Sequence, residues 1–146
     1  MNFLNDYAII LINNGGDFMN INITAGECLN KILKRKYDDR IFIPFCEAMI
    51  NGSYSSKLFS DEFILERAQV HNVSTEQYKY KLQGFLDLLK NIKKYNEITL
   101  WFGDEVFCVE NAKVVIDALK LYGYSKKIIL NIVNEETGDI IKSKLI

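Results

Sequence analysis

Three acidic loops stand directly after apolar runs: Gly26-Glu27, Cys46-Glu47 and Asp104-Glu105. Each follows a stretch that reads as a strand, so parallel strands would carry all three to one sheet edge, where open α/β folds bind ligands. Carboxylates gathered there suit two chemistries. They can hold Mg²⁺ through oxygen ligands, or they can frame a small anionic ligand that Arg67 grips with its planar fork and Asn111 orients. The plainer reading also stands: Glu27 and Glu105 stabilise helix amino termini, as acidic side chains there commonly do. Cys28, Cys46 and Cys108 fall near the same strand ends, and a helix amino terminus can lower a thiol into a nucleophile. No histidine is placed by the sequence as its base, and an unpaired cysteine more often serves as a small buried hydrophobe. The single histidine, His71, falls between two middle helices and reads as a surface or half-buried residue. The ligand-binding set is therefore Gly26, Glu27, Glu47, Arg67, Asp104, Glu105, Cys108 and Asn111. No catalytic residue and no metal-ligand set is assigned, and the cofactor is left open.

These residues need strands and helices to position them. Ile98 to Phe102 is β-branched or aromatic without alternation, the pattern of a strand buried on both faces. Beyond Gly103, Val106, Val109, Val114, Ala118 and Leu121 approximate helical spacing, with Gly123 placed as a carboxyl-terminal cap. Upstream, Asn20 to Thr24 forms a short strand. Glu27 opens a helix whose apolar face is Cys28, Leu29, Ile32 and Leu33, and Lys34, Arg35 and Lys36 suit its negative end. Ile41 to Ile43 is a second buried strand, stopped by Pro44. The loop that follows, to Ser56, is long enough to be functional or mobile. Ser60-Asp-Glu-Phe63 starts one helix. Ser74-Thr-Glu-Gln77 is a capping box for a long amphipathic helix through Tyr78, Leu82, Phe85, Leu86, Leu89 and Ile92. Lys127 to Val133 is another strand, and Glu135 to Gly138 turns toward Ile140-Ile141 in a terminal hairpin. The order is β-α-β-α-α-β-α-β, with room for a last β. The expectation is a single three-layer α/β domain over residues 19–146, with a mostly parallel sheet of four or five strands and helices on both faces. Residues 1–18 form an amino-terminal extension or edge element.

Composition narrows the function classes. A chain of 146 residues, 49% of them apolar, is the size of one domain with a substantial core. A net charge of -1 supplies no field for a phosphate backbone, so no nucleic-acid partner is expected. The apolar run Tyr7 to Ile12 is too short to span a bilayer and lacks a leader's flanks, so no membrane is expected either. Three cysteines without a C-x-x-C pair and one histidine leave little for zinc and fit a reducing cytoplasm. Neither G-x-G-x-x-G nor G-x-x-x-x-G-K-S/T occurs, so this is not a standard dinucleotide or P-loop fold.

With the segments placed, Met19 to about Val133 resembles a bacterial family known as domain of unknown function 1835. Its members begin with a strand and Asn-Gly-Asp, similar to Ala25-Gly26-Glu27. A second strand leads to Trp-Arg-Glu or Trp-Arg-Asp and then Gly-Pro, similar to Phe45-Cys46-Glu47 and Gly52-Ser53. A helical arginine resembles Arg67. The last signature, Leu-Trp-Phe-Glu-x-Asp-Leu-Phe-x-Gln-x-Asn, is similar to the run from Leu100-Trp101-Phe102-Gly103 to Asn111. Ala25, Cys46, Gly103 and Val109 stand where the family pattern has polar or charged groups, and Glu27 and Glu105 lengthen an Asp by one methylene. Close catalytic geometry tolerates few such changes, so the resemblance implies a site whose chemistry is altered or lost.

The expected function is a small cytoplasmic α/β domain that binds an anionic small molecule, a nucleotide or phosphorylated metabolite, at the carboxyl edge of the sheet. Chemistry there would be hydrolysis or group transfer. The alternative is a non-catalytic protein-interaction or regulatory module, with a protein partner or homodimer contact through the loop at 45–60 or the amino-terminal extension.

Overall fold

The computed structural model describes residues 19–146; the expected extension or edge element at 1–18 lies outside them. Five strands form one sheet: β1 (Met19–Ala25), β2 (Phe42–Phe45), β3 (Tyr95–Phe102), β4 (Lys127–Val133) and β5 (Ile140–Leu145). Their spatial order is β2-β1-β3-β4-β5. The first four are parallel and β5 returns antiparallel to β4, so the sheet is mostly parallel with a carboxyl-terminal hairpin. The helices are α1 (Gly26–Lys36), α2 (Asp61–Val70), α3 (Thr75–Lys81), α4 (Gln83–Lys90) and α5 (Val106–Leu121).

Ile98 and the run from Leu100 through Phe102 are all at most 1% exposed, as a central strand flanked by β1 and β4 requires. On one face, Leu29 and Leu33 of α1 pack on Phe42, Trp101 and Val133. On the other, α2 to α5 cover Ile21, Ile23, Ile98 and Leu100 in one large cluster. This is the three-layer arrangement expected of alternating strands and helices.

Three local readings change. Strand β2 runs through Pro44 to Phe45 instead of stopping before it. The strand lies at the sheet edge, where a missing N–H costs no ladder bond. The single long amphipathic helix divides at Leu82 into α3 and α4, just before Gln83-Gly84, where glycine weakens a helix interior. The buried face of α5 is also rotated from the expected one. Val106, Val109 and Leu121 are exposed, while Cys108, Asn111, Ala112, Val115 and Leu119 face inward beside Val114 and Ala118. Likewise on α1, Cys28 is exposed and Asn30 is buried in its place, accepting a hydrogen bond from Thr24 Oγ1.

The loop after β2 is tied down along its length. Glu66 accepts from the Ser55 amide at 2.8 Å and from the Ser55 and Ser56 hydroxyls. Tyr122 donates to the Leu58 carbonyl at 2.9 Å.

Candidate functional site

The chain leaves β1 in one lateral direction and β3 in the other, because β2 and β4 lie on opposite sides of that pair. The crevice opened at such a switch point is where doubly wound sheets bind ligands. Here it is a cavity of about 530 Å³. Ala25, Gly26 and Glu27 line it from the end of β1, Phe45 to Ala48 from β2, Phe107, Cys108 and Asn111 from α5, and Glu135 from the β4–β5 turn. His71, Val73, Tyr78 and Lys81 close it from α2 and α3.

Glu47 is the hub of the wall. Its side chain is fully buried, as is that of Arg67. Arg67 donates from Nε to Oε2 at 3.1 Å and from Nη2 to Oε1 at 3.0 Å, and Nη2 also donates to the Ala48 carbonyl at 3.0 Å. The Tyr78 hydroxyl donates to Oε2 at 2.5 Å and the Ala48 amide to Oε1 at 2.7 Å. His71 Nε2 lies 2.5 Å from Oε1. Taking this carboxylate out of water costs several kcal/mol, which donors at this density offset.

The titration shifts follow from that geometry. Burial pushes Glu47 upward, but the Arg67 guanidinium, the Tyr78 hydroxyl and the Ala48 amide outweigh it and hold the carboxyl below its ordinary range. Burial raises the Tyr78 phenol, and the Glu47 charge raises it further. The folded carboxyl is thus the stronger acid, so its stabilising contribution is complete above the unfolded value of about 4.3 and is lost as pH falls through the folded value. Melting temperatures measured down a pH series should fall below about pH 4, and Glu47→Gln, starting lower, should lose less over that interval. Parallel curves for the two proteins would mean that other carboxylates carry the acid sensitivity.

The two thiols on the lining are held toward the protonated form. Burial and the Glu27 charge push Cys46 up to about 11. Burial and the Glu135 charge do the same to Cys108, whose Sγ lies 3.5 Å from Glu135 Oε1. The exposed Cys28 does not line the cavity.

Of the residues expected at the site, Gly26, Glu27, Glu47, Cys108 and Asn111 line one cavity. Asp104 and Glu105 lie outside its lining, exposed ahead of α5. Arg67 is brought beside the site, but its fork closes on Glu47 instead of facing a ligand. Asn111 is likewise committed to the protein: Nδ2 donates to the Glu47 carbonyl at 2.6 Å, and Oδ1 accepts from the Met49 amide at 2.9 Å. His71, Tyr78, Lys81 and Glu135 were not singled out from sequence as site residues. One signal for His71 was present: it follows Arg67 by four residues, the spacing that places two side chains on one helix face.

No family model, no curated protein and no solved structure matches the chain. Among the described residues no group of three or more histidine, cysteine or carboxylate side chains is disposed to hold a metal ion, and no helix is long and apolar enough to cross a membrane.

Proposed function

We propose that the cavity binds a small anionic molecule, a nucleotide or phosphorylated metabolite. The observation that carries this reading is the position of the cavity: it opens at the switch point, and the first turns of both α1 and α5 line it without a side-chain cap on either helix. Uncapped amide groups at a helix amino terminus, with the positive end of the helix dipole, favour an anion. Lys81 stands on the same wall. Gly26 has φ +78° with open space where a Cβ would project, so backbone is accessible at the start of α1. Glu27 and Glu135 suit the hydroxyl or amine end of such a ligand, as acidic side chains do for ribose in dinucleotide folds.

The test is a thermal-shift panel of nucleotides, sugar phosphates and inorganic phosphate on the wild type and Lys81→Glu. A ligand at about one hundred times its dissociation constant adds about 2.7 kcal/mol, which should raise the midpoint by about 5 to 10 °C. Reversing the Lys81 charge should remove most of the shift. A flat response across the panel would sink the reading in favour of the interaction module. The surface to probe would then be β5, an edge strand exposed at every position, with Ile140, Ile141 and Leu145 about half or more accessible.

A further inference from the structure

The single histidine gives the cavity a group that can move a proton. Arg67 Nη2 carries two N–H bonds, and both are used, one on Glu47 Oε1 and one on the Ala48 carbonyl. It therefore has no hydrogen left for His71 Nε2, 3.3 Å away. The remaining partner of Nε2 is the Glu47 carboxylate, an acceptor, so Nε2 carries the hydrogen and the lone pair of the neutral ring is on Nδ1. Among the described residues Nδ1 makes no hydrogen bond, both contacts of the ring being through Nε2. The ring is 28% exposed and lines the cavity. A base held by a carboxylate that is itself held by Arg67 and Tyr78 is the orienter–base arrangement of acid–base catalysis.

We propose that His71 is a catalytic general base, and that the cavity hydrolyses a small carboxylic ester or thioester carrying an anionic group. The proposal rests on the cavity being a ligand site and adds a reaction to it. Nδ1 takes a proton from water while the water oxygen bonds to the carbonyl carbon, and the carbonyl π pair moves onto its oxygen. The uncapped helix starts on the lining supply the amide donors that such an oxyanion needs. When the tetrahedral carbon collapses, its bond to the leaving oxygen or sulfur breaks and His71 returns the proton to the leaving group. Ester plus water becomes acid plus alcohol, or thiol, and the histidine ends as it began. Glu47 keeps its charge throughout and holds the ring in register. Acyl transfer fits this wall better than phosphoryl transfer, which spreads charge over three oxygens; Lys81 is the only lysine or arginine on the lining.

The probe is p-nitrophenyl succinate, followed by nitrophenolate release, with succinate in the thermal-shift assay. Wild type should turn the ester over, and His71→Gln should lower kcat by at least about 100-fold, the range for a positioned base, with the succinate shift intact. In His71→Ala, added imidazole should restore part of the rate, and the solvent deuterium effect on kcat seen in wild type should vanish without it. A structural role for His71 would produce neither result. Succinate binding without turnover, or turnover undiminished in His71→Gln, overturns the catalytic assignment and leaves binding standing. No turnover and no succinate shift, with phosphate ligands still raising the midpoint, overturns the catalytic assignment alone; a flat response to succinate and to the phosphate panel alike overturns the binding reading as well.

Discussion

Replacement of Arg67 by alanine is expected to lower stability by about 3 to 5 kcal/mol, the loss that follows when one partner of a buried ion pair is removed. Arg67 and Glu47 have no exposed side-chain surface, so solvent does not screen the carboxylate left behind. Glu47 would retain Tyr78, His71 and the Ala48 amide but lose the guanidinium paired with it. The melting midpoint should fall by roughly 10 °C or more. Chemical denaturation with an unchanged slope would assign the loss to stability and not to a changed native state. A variant that melts like the wild type but no longer responds to anions would instead make Arg67 a ligand group and contradict the enclosed geometry.

The second large effect is expected at Trp101. Its indole is 1% exposed, its Nε1–H donates to Asn22 Oδ1 at 2.9 Å, and its ring packs edge-on against Phe42 with Tyr37 beside it. Trp101→Ala should cost about 3 to 5 kcal/mol through lost burial and the cavity left under α1. Trp101→Phe should cost less, about 1 to 3 kcal/mol, since the ring volume is partly kept while the buried Asn22 carbonyl oxygen loses its donor. Trp101 is the only tryptophan, so unfolding of both variants has to be followed by circular dichroism. A melting curve for Trp101→Ala within a degree or two of wild type would show that α1 does not depend on this ring.

How far these features could be read without coordinates depends on the distance along the chain between partners. The burial of Ile98 and Leu100 to Phe102 is written in the run itself, because a strand covered on both faces needs no polar alternation. The convergence of Gly26, Glu47 and Cys108 follows from strand direction alone. The face of α5 was harder. Valines at its amino-terminal end are apolar but point to solvent, and a buried asparagine takes a core position for a hydrogen-bonding reason that hydrophobic spacing does not record. The Glu47 network was invisible for a related reason: its side-chain partners lie 20, 24 and 31 residues away, on two helices whose relative placement no local pattern specifies. Arg67 could be marked as notable, while the choice between facing a ligand and facing Glu47 is a tertiary matter.

Asn111 connects two connections of the sheet in a way that bears on motion. Its amide reaches across from α5 to the backbone on both sides of Ala48, donating to one peptide group and accepting from another, as an adjoining strand would. The loop after β2 therefore cannot hinge on its own. Any breathing of the cavity mouth must carry the amino-terminal turns of α5 and residues 47–49 as one rigid body, or break two buried hydrogen bonds at once. The helix that carries Tyr78 is fastened to the same body, because its hydroxyl donates to Glu47.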